Sequence, residues 1–451
     1  MAARSMTEGT PWVHIFKFSL PLLAGALLQQ LYSTVDTMIV GNFTGEAALS
    51  AVGTTNTLTF FFLAIAIGLS SGNGVLVAQS FGAENIEGVR RSAATGLILL
   101  PAAGVFCTVI GIVFSRWAYT DFIAVPPEIL EPTLVYFRIC CLGLFFLYGY
   151  NAIAAVLRSV GDSAAILYLL LLAGILNVFL DLWLVAYLHK GVAGAAVATV
   201  ISQAVSMIAG WIYMHKKYPF LRFTLHDLKF NLHLGIDTFK LGFPMALQLV
   251  IVAIGISFIM RAVNSFGQVM TATFTAGQRI ELYLHLPANS LMTALATYTG
   301  QNVGAGKLDR VKKGAVQGVL LSLSCTVVLS MIILFSAETL PAAFALGPQA
   351  SEYCTEYLRA NAYIVIVLSL YVPLFGVFQG TRHVFVPMAV AFFALSVRVA
   401  ATYIFKDSNI IGYRIIWWNG IFGFSTGCII TYITYFRGRW QKNALGRNAL
   451  R

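Results

Sequence analysis

Twelve apolar stretches, each long enough to cross a bilayer as a helix, follow one another along this 451-residue chain and set the limits on its fold. The hydrocarbon core is about 30 Å thick, which takes roughly 20 apolar residues of helix. The stretches run roughly 14–40, 55–79, 93–115, 132–156, 164–187 and 192–214, then 236–262, 272–298, 314–335, 353–378, 385–405 and 412–436. An all-α polytopic membrane protein with twelve transmembrane helices is the expected class. Composition agrees: 58% of residues are hydrophobic and 10% charged, whereas soluble domains carry about 25% charged residues. The first apolar run continues from His14 to Val40 without a cleavage pattern, so it reads as an uncleaved first span. The net charge of +11 comes with no basic patch interleaved with aromatics, so no nucleic-acid partner is expected.

The polar loops give orientation. Arg90, Arg91, Arg158, Lys216, Lys217, Arg222, Lys229, Lys307, Arg310, Lys312, Lys313, Arg382 and the tail from Arg437 fall on one side; alternate loops hold only Arg116, Lys190, Arg261, Lys406 and Arg414. By the positive-inside rule both termini are cytoplasmic. The halves also repeat. Phe16-Lys-Phe-Ser-Leu-Pro21 returns as Phe239-Lys-Leu-Gly-Phe-Pro244, and Gln79-Ser-Phe-Gly82-Ala83 as Gln301-Asn-Val-Gly304-Ala305. This divides the chain into an N-terminal six-helix lobe (1–214), a cytoplasmic linker (215–235), a C-terminal six-helix lobe (236–436) and a basic tail (437–451). Six spans per half is even, so the lobes should be related by a pseudo-two-fold axis along the membrane normal.

Carboxylates inside spans are costly and rarely face lipid. Asn177 and Asp181 are four apart in the fifth span and share a helix face. Asp36 ends the first span, and its counterpart in the second half is Ile259; the eleventh span has nothing to match Asn177 and Asp181. The acidic equipment therefore sits in one lobe. At 1.5 Å per residue, Asp36 lies about 33 Å and Asp181 roughly 26 Å from the cytoplasmic ends of their helices, and Thr199 within about 10 Å of the outer end of the sixth. These depths let the residues meet. Their oxygens suit sodium, or a proton, because two poorly solvated carboxylates cannot both ionise cheaply. The bland alternative is a polar pair joining two helices. In the second half, Arg279, Glu281, His285 and Arg398 form a possible polar centre, with Glu281 the expected partner of Arg398 and with ion pairing and substrate binding both open.

Pro21, Gly25 and Pro244 can bend helices or free a carbonyl, and Pro21 is a candidate hinge. The glycines of Gly68-Leu-Ser-Ser-Gly72-Asn-Gly74 suit close helix packing. Trp12, Trp117, Trp417, Trp418 and Trp440 read as interfacial anchors. The six cysteines have no metal spacing and read as small core residues. No HExxH, P-loop or GxSxG sequence occurs, so no enzyme activity is expected.

At these residues the chain resembles the multidrug and toxic compound extrusion (MATE) family of secondary transporters. The similarity runs from about Phe16 to Phe436 and includes Pro21, Val35-Asp36-Thr-Met-Ile-Val-Gly41, Ala48-Leu-Ser-Ala-Val-Gly53, both Gln-x-x-Gly-Ala junctions, Arg158-x-x-Gly161-Asp162, Asn177-x-x-x-Asp181 and Gly191-Val-Ala-Gly194-Ala195-Ala196-x-Ala198-Thr199. The resemblance implies export of amphipathic, often cationic compounds by alternating access, driven by inward flow of protons or sodium ions. It maps a cation site onto Asp36, Asn177, Asp181 and Thr199, which are the metal ligands if sodium is the ion. It suggests Gln29, Tyr136 and Asn151 as substrate-pocket residues. Some branches carry an acid eight positions after the seventh-span proline; here that place is Val252, so the chain looks closer to the bacterial DNA-damage-inducible-protein branch.

The expectation is therefore an antiporter in a bacterial inner membrane, a monomer with no cofactor beyond the coupling ion, whose partners are a small organic cation or amphipathic drug and the bilayer. The alternative is a flippase for a lipid-linked sugar or cell-wall precursor, which should have a more cationic cavity.

Overall fold

The computed structural model describes residues 5–224, 227–344 and 346–441; the expected tail beyond Gln441 lies outside the described residues. The described residues form thirteen α-helices and no strand. They are α1 (Pro11–Thr44), α2 (Glu46–Gly82), α3 (Ile86–Trp117), α4 (Pro127–Leu142), α5 (Leu144–Ser159), α6 (Ser163–Asp181) and α7 (Gly191–Lys217), then α8 (Leu232–Asn264), α9 (Gln268–Gly304), α10 (Leu308–Ser336), α11 (Pro348–Gly380), α12 (Phe385–Phe405) and α13 (Arg414–Phe436). Nine are long and apolar enough to cross a membrane. A tenth crossing is the broken pair α4 and α5, bent by 43°. The remaining two, α9 and α13, have 37 and 23 residues, long enough to span but diluted by polar side chains.

The bend corrects the single helix expected over 132–156. Thr108 on α3 donates to the carbonyl of Cys141 at 2.5 Å, just before Gly143. A Cβ at Gly143 would sit 2.6 Å from a methyl of Val200, so only glycine admits α7 this closely. A side chain inserted at a helix carbonyl is a regular cause of kinks.

The chain forms two compact units whose borders cross the expected lobe limits. One holds Ala24–Ala246; the other joins Met6–Leu23 to the chain from Leu247 onward. In the first, α8 lies hard against α2: a Cβ at Gly68 would meet that of Ala246 at 2.6 Å, and one at Gly72 would meet the amide nitrogen of Gly242 at 2.6 Å. The glycines thus bring two backbones together, as small residues do where apolar packing supplies the attraction. The linker also belongs to this unit. Arg90 donates to the carbonyls of Phe220 (2.9 Å) and Arg222 (3.1 Å) and pairs with Asp227 at 3.5 Å. In the second unit, Ile15 and Phe18 of α1 pack on Leu291, Leu295 and Tyr298 of α9. The amide of Met6 donates to Gln301 at 2.8 Å.

All six cysteines are free thiols. Trp12, Trp117 and Trp418 are exposed, which an interfacial anchor requires. Trp417 and Trp440 are buried instead: Trp417 packs on Tyr357 and Tyr413, and Trp440 stacks on Tyr435.

Candidate functional site

The first unit builds its polar centre by laying α1 along α6 in parallel. Gly25 faces Leu170, since a Cβ there would sit 2.9 Å from a Leu170 methyl; Tyr32 faces Gly174, whose Cβ would sit 3.6 Å from that of Tyr32. From Gly25 to Asp36 is eleven residues (36 − 25), and from Leu170 to Asp181 is eleven (181 − 170). Eleven residues make about three turns, so the same faces meet again at the far end. There Asp36 and Asp181 are direct electrostatic neighbours, and Tyr136 of α4 lies beside both.

This pair is closed and starved of donors. Asp181 is fully buried and Asn177 nearly so, while Asp36 is half-buried. Among the described residues no hydrogen-bond partner reaches Oδ1 of Asp36, Oδ1 of Asn177 or either carboxylate oxygen of Asp181. Buried acceptors without donors are costly, and charged ones more so. Two carboxylates facing each other in low dielectric repel, so an added positive charge is what this arrangement accommodates. Above the pair, Ile39 and Val40, Tyr136, Val185, Ala195 and Ala196 form one apolar cluster. Thr199 stands one turn past Ala195 and donates its hydroxyl to that residue's carbonyl at 3.1 Å, which leaves its own oxygen able to accept a cation.

Three features were not read from the sequence. The fifth span does not stay α-helical: Leu182–Tyr187 form a π-helical turn that begins directly after Asp181. Such turns recur at functional sites because they re-aim the preceding side chain. Tyr32, one turn before Asp36, interacts with both Asp36 and Gln29. Cys140 lies one turn from Tyr136 and beside Asp36. The signal for both was the four-residue spacing on one helix face. Of the expected pocket residues, Tyr136 thus joins the carboxylates directly and Gln29 through Tyr32. Asn151 is half-buried and donates to the Leu147 carbonyl in its own helix at 2.8 Å.

The polar centre of the second unit is arranged otherwise. Glu281, buried on α9, accepts from the hydroxyl of Tyr357, and its Oε1 lies 3.4 Å from His285 Nε2. Arg398 is not paired with Glu281. Its Nε donates to Asn419 Oδ1 at 2.9 Å, and its guanidinium lies 5.0 Å over the Phe424 ring. An amide and an aromatic face satisfy the cation without a carboxylate. Arg279 stands apart from this cluster, on the wall of a separate cleft with Asn264, Gln268 and Phe344. Two residues from Glu281 on a helix, it points about 200° away.

Pro21 lies within α1, which stays helical through it. Two residues later, between Leu23 and Ala24, α1 passes from one compact unit to the other; α8 does the same between Ala246 and Leu247, two residues past Pro244.

The family model described as MatE matches twice, over residues 21–183 and 244–404. The chain belongs to the MatE family. The paired matches begin at Pro21 and Pro244, the residues that anchor the internal repeat. Among MatE relatives, the probable multidrug resistance protein YpnP of Bacillus subtilis is 30% identical over 69% of this chain and 69% of its own length. DNA damage-inducible protein F of Escherichia coli is 27% identical over 45% of this chain and 44% of its own length. A solved structure described as the outward-facing conformation of a multidrug resistance MATE family transporter superposes with a TM-score of 0.92 at 23% identity, over 98% of this chain and 99% of that one. The twelve-span, two-lobe MATE architecture is therefore the fold of this chain, and it is an integral membrane protein.

Proposed function

We propose that this MatE protein exports amphipathic, often cationic compounds by antiport, with Asp36 and Asp181 as the exchange point for the coupling ion. One observation carries the proposal: two carboxylates and an amide oxygen converge in a single lobe with no donor to satisfy them. The relative YpnP bears the name of a multidrug resistance protein, which agrees in substrate class. An entering proton or sodium ion reaches half-buried Asp36 first and bridges to buried Asp181, held by Asn177 and Thr199. Neutralising the pair removes its attraction for a cationic substrate lodged near Gln29, Tyr136 and Asn151. Substrate leaves outward and the lobes rock inward. The ion shifts the equilibrium by its differential affinity for the two states.

Rocking requires α1 to bend where it leaves one unit for the other, and Pro21 lies two residues before that point with no N–H to hold the turn together. The excess of basic residues on one set of loops supports cytoplasmic termini, and in this reading the chain works as a monomer in a bacterial inner membrane. Sided vesicles of purified protein test the reading. Uptake of ethidium against an imposed pH gradient, compared with an imposed sodium gradient, identifies the ion. Equal, gradient-independent uptake in both would overturn antiport.

A further inference from the structure

The second unit holds a cleft of about 710 Å³ to which nothing above assigns a role. Its floor is one face of α9, reached at residues 268, 275 and 279, with Asn264 from the end of α8 beside it. These positions are seven and four apart, so they line up along the helix. Its lip is apolar, formed by Phe344 and Leu346 from the segment after α10. Arg279 lies eleven residues in from the outer start of α9 (279 − 268), about 16 Å deep at the helical rise.

The fixed charge of this cleft has one sign: among the described residues that line it, Arg279 is the one ionised side chain. The hydroxyl of Thr271 lies 3.1 Å from both Asn264 Oδ1 and the Gly267 carbonyl and can donate its one proton to either. Thr275 turns its hydroxyl proton back to the carbonyl of Thr271 at 2.8 Å. Arg279 has five donors and no acceptor, and among the described residues no carboxylate pairs with it. Its near neighbour in sequence, Glu281, is already engaged with Tyr357. An arginine at membrane depth usually marks a functional contact. A guanidinium with no carboxylate partner, in a cleft also lined by Phe344 and Leu346, suits an anionic oxygen group carried on an apolar body.

We propose that this cleft is an anion-receiving subsite, which takes the carboxylate or phosphate of an amphipathic substrate, so that the exporter handles zwitterions as well as cations. The inference rests on the export reading above. It assigns the negative end of a zwitterion to Arg279 in the second unit, a role separate from the ion-exchanging carboxylates of the first.

The test uses full-length protein in phosphatidylcholine nanodiscs and three fluorescent probes: a zwitterionic quinolone carboxylic acid, its methyl ester, and ethidium. Arg279→Gln should weaken binding of the acid by roughly tenfold or more, the loss of one charge-assisted hydrogen bond. Affinity for the ester and for ethidium should hold, and Arg279→Lys should keep most of the affinity for the acid. Equal affinities of Arg279→Gln and wild type for the acid would overturn the proposal, as would a parallel loss for all three probes. Nanodiscs containing phosphatidylglycerol separate the two sources of an anion. If Arg279→Gln sheds bound phosphatidylglycerol while all drug affinities stand unchanged, the cleft holds a lipid headgroup and the substrate proposal fails. Ethidium transport by wild-type protein is measured in parallel, so that failure of the export reading is distinguishable from failure of the subsite.

Discussion

The two units each bury acidic groups inside helices, and they treat them in opposite ways. In the first, Asp36, Asn177 and Asp181 present four oxygens that no donor among the described residues satisfies. In the second, Glu281 is held by Tyr357 and Arg398 is satisfied by Asn419 and the Phe424 ring, and one atom, His285 Nε2, lacks a hydrogen-bond partner among the described residues. A cluster whose acid and guanidinium have partners specifies packing, whereas a starved pair of carboxylates is stable only with a positive charge added. The contrast predicts that the first cluster transduces the ion gradient and the second holds its lobe together.

The largest expected effect is on transport. Asp181→Asn and Asp36→Asn should each abolish gradient-driven efflux while the protein inserts and its melting temperature stays near the wild-type value. Undiminished efflux from either variant would dissolve the contrast. Next comes the second unit: Glu281→Gln should lower stability by about 2 kcal/mol, because it weakens a buried charged hydrogen bond. The ion dependence of transport should remain that of wild type. A changed ion-to-drug ratio in vesicles would instead make the second cluster a coupling site.

A third, smaller effect concerns the N-terminal end of α6. Asp162 caps that helix and accepts from Lys217 (2.8 Å), Tyr218 (2.7 Å) and Tyr213 (2.9 Å). Burial works against its charge, but these hydrogen bonds outweigh it and hold the carboxyl below its usual range. A native value below the unfolded one gives stability that is fully present above about pH 4 and is lost as pH falls through the native value. Asp162→Asn should cost about 1 kcal/mol at neutral pH and flatten the acid limb of a thermal-unfolding series. A full acid limb in that variant would place the sensitivity elsewhere. Smallest is Gly174→Ala, whose added methyl meets Tyr32 at an ordinary 3.6 Å. Its change in stability should stay within about 0.5 kcal/mol, and a larger loss by thermal unfolding would mean that α1 sits closer to α6.

Much of this was legible in the chain. Spans, the proline-anchored repeat and the one-sided placement of the acids follow from spacing and hydropathy. So did the close packing at Gly68 and Gly72, because glycines four apart on an apolar helix have few other uses. Less legible was who pairs with whom. Arg398 was matched to Glu281 by charge alone, yet an amide and a ring satisfied it. Arg279 was grouped with Glu281 as a polar residue of the same half, although two residues on a helix face nearly opposite ways.

The sequence by itself determined that this chain is a helical membrane protein of two repeated halves with intramembrane acids in one of them. Hydrocarbon leaves a backbone few ways to be satisfied, and a carboxylate in that medium is conspicuous. Tertiary structure alone decided that Asp36 meets Asp181 at a π-helical turn, that α4 and α5 break at Gly143, and that α1 and α8 change unit just past their prolines. Those outcomes depend on which side chain of a distant helix arrives at a given carbonyl or carboxylate, and no local spacing encodes that.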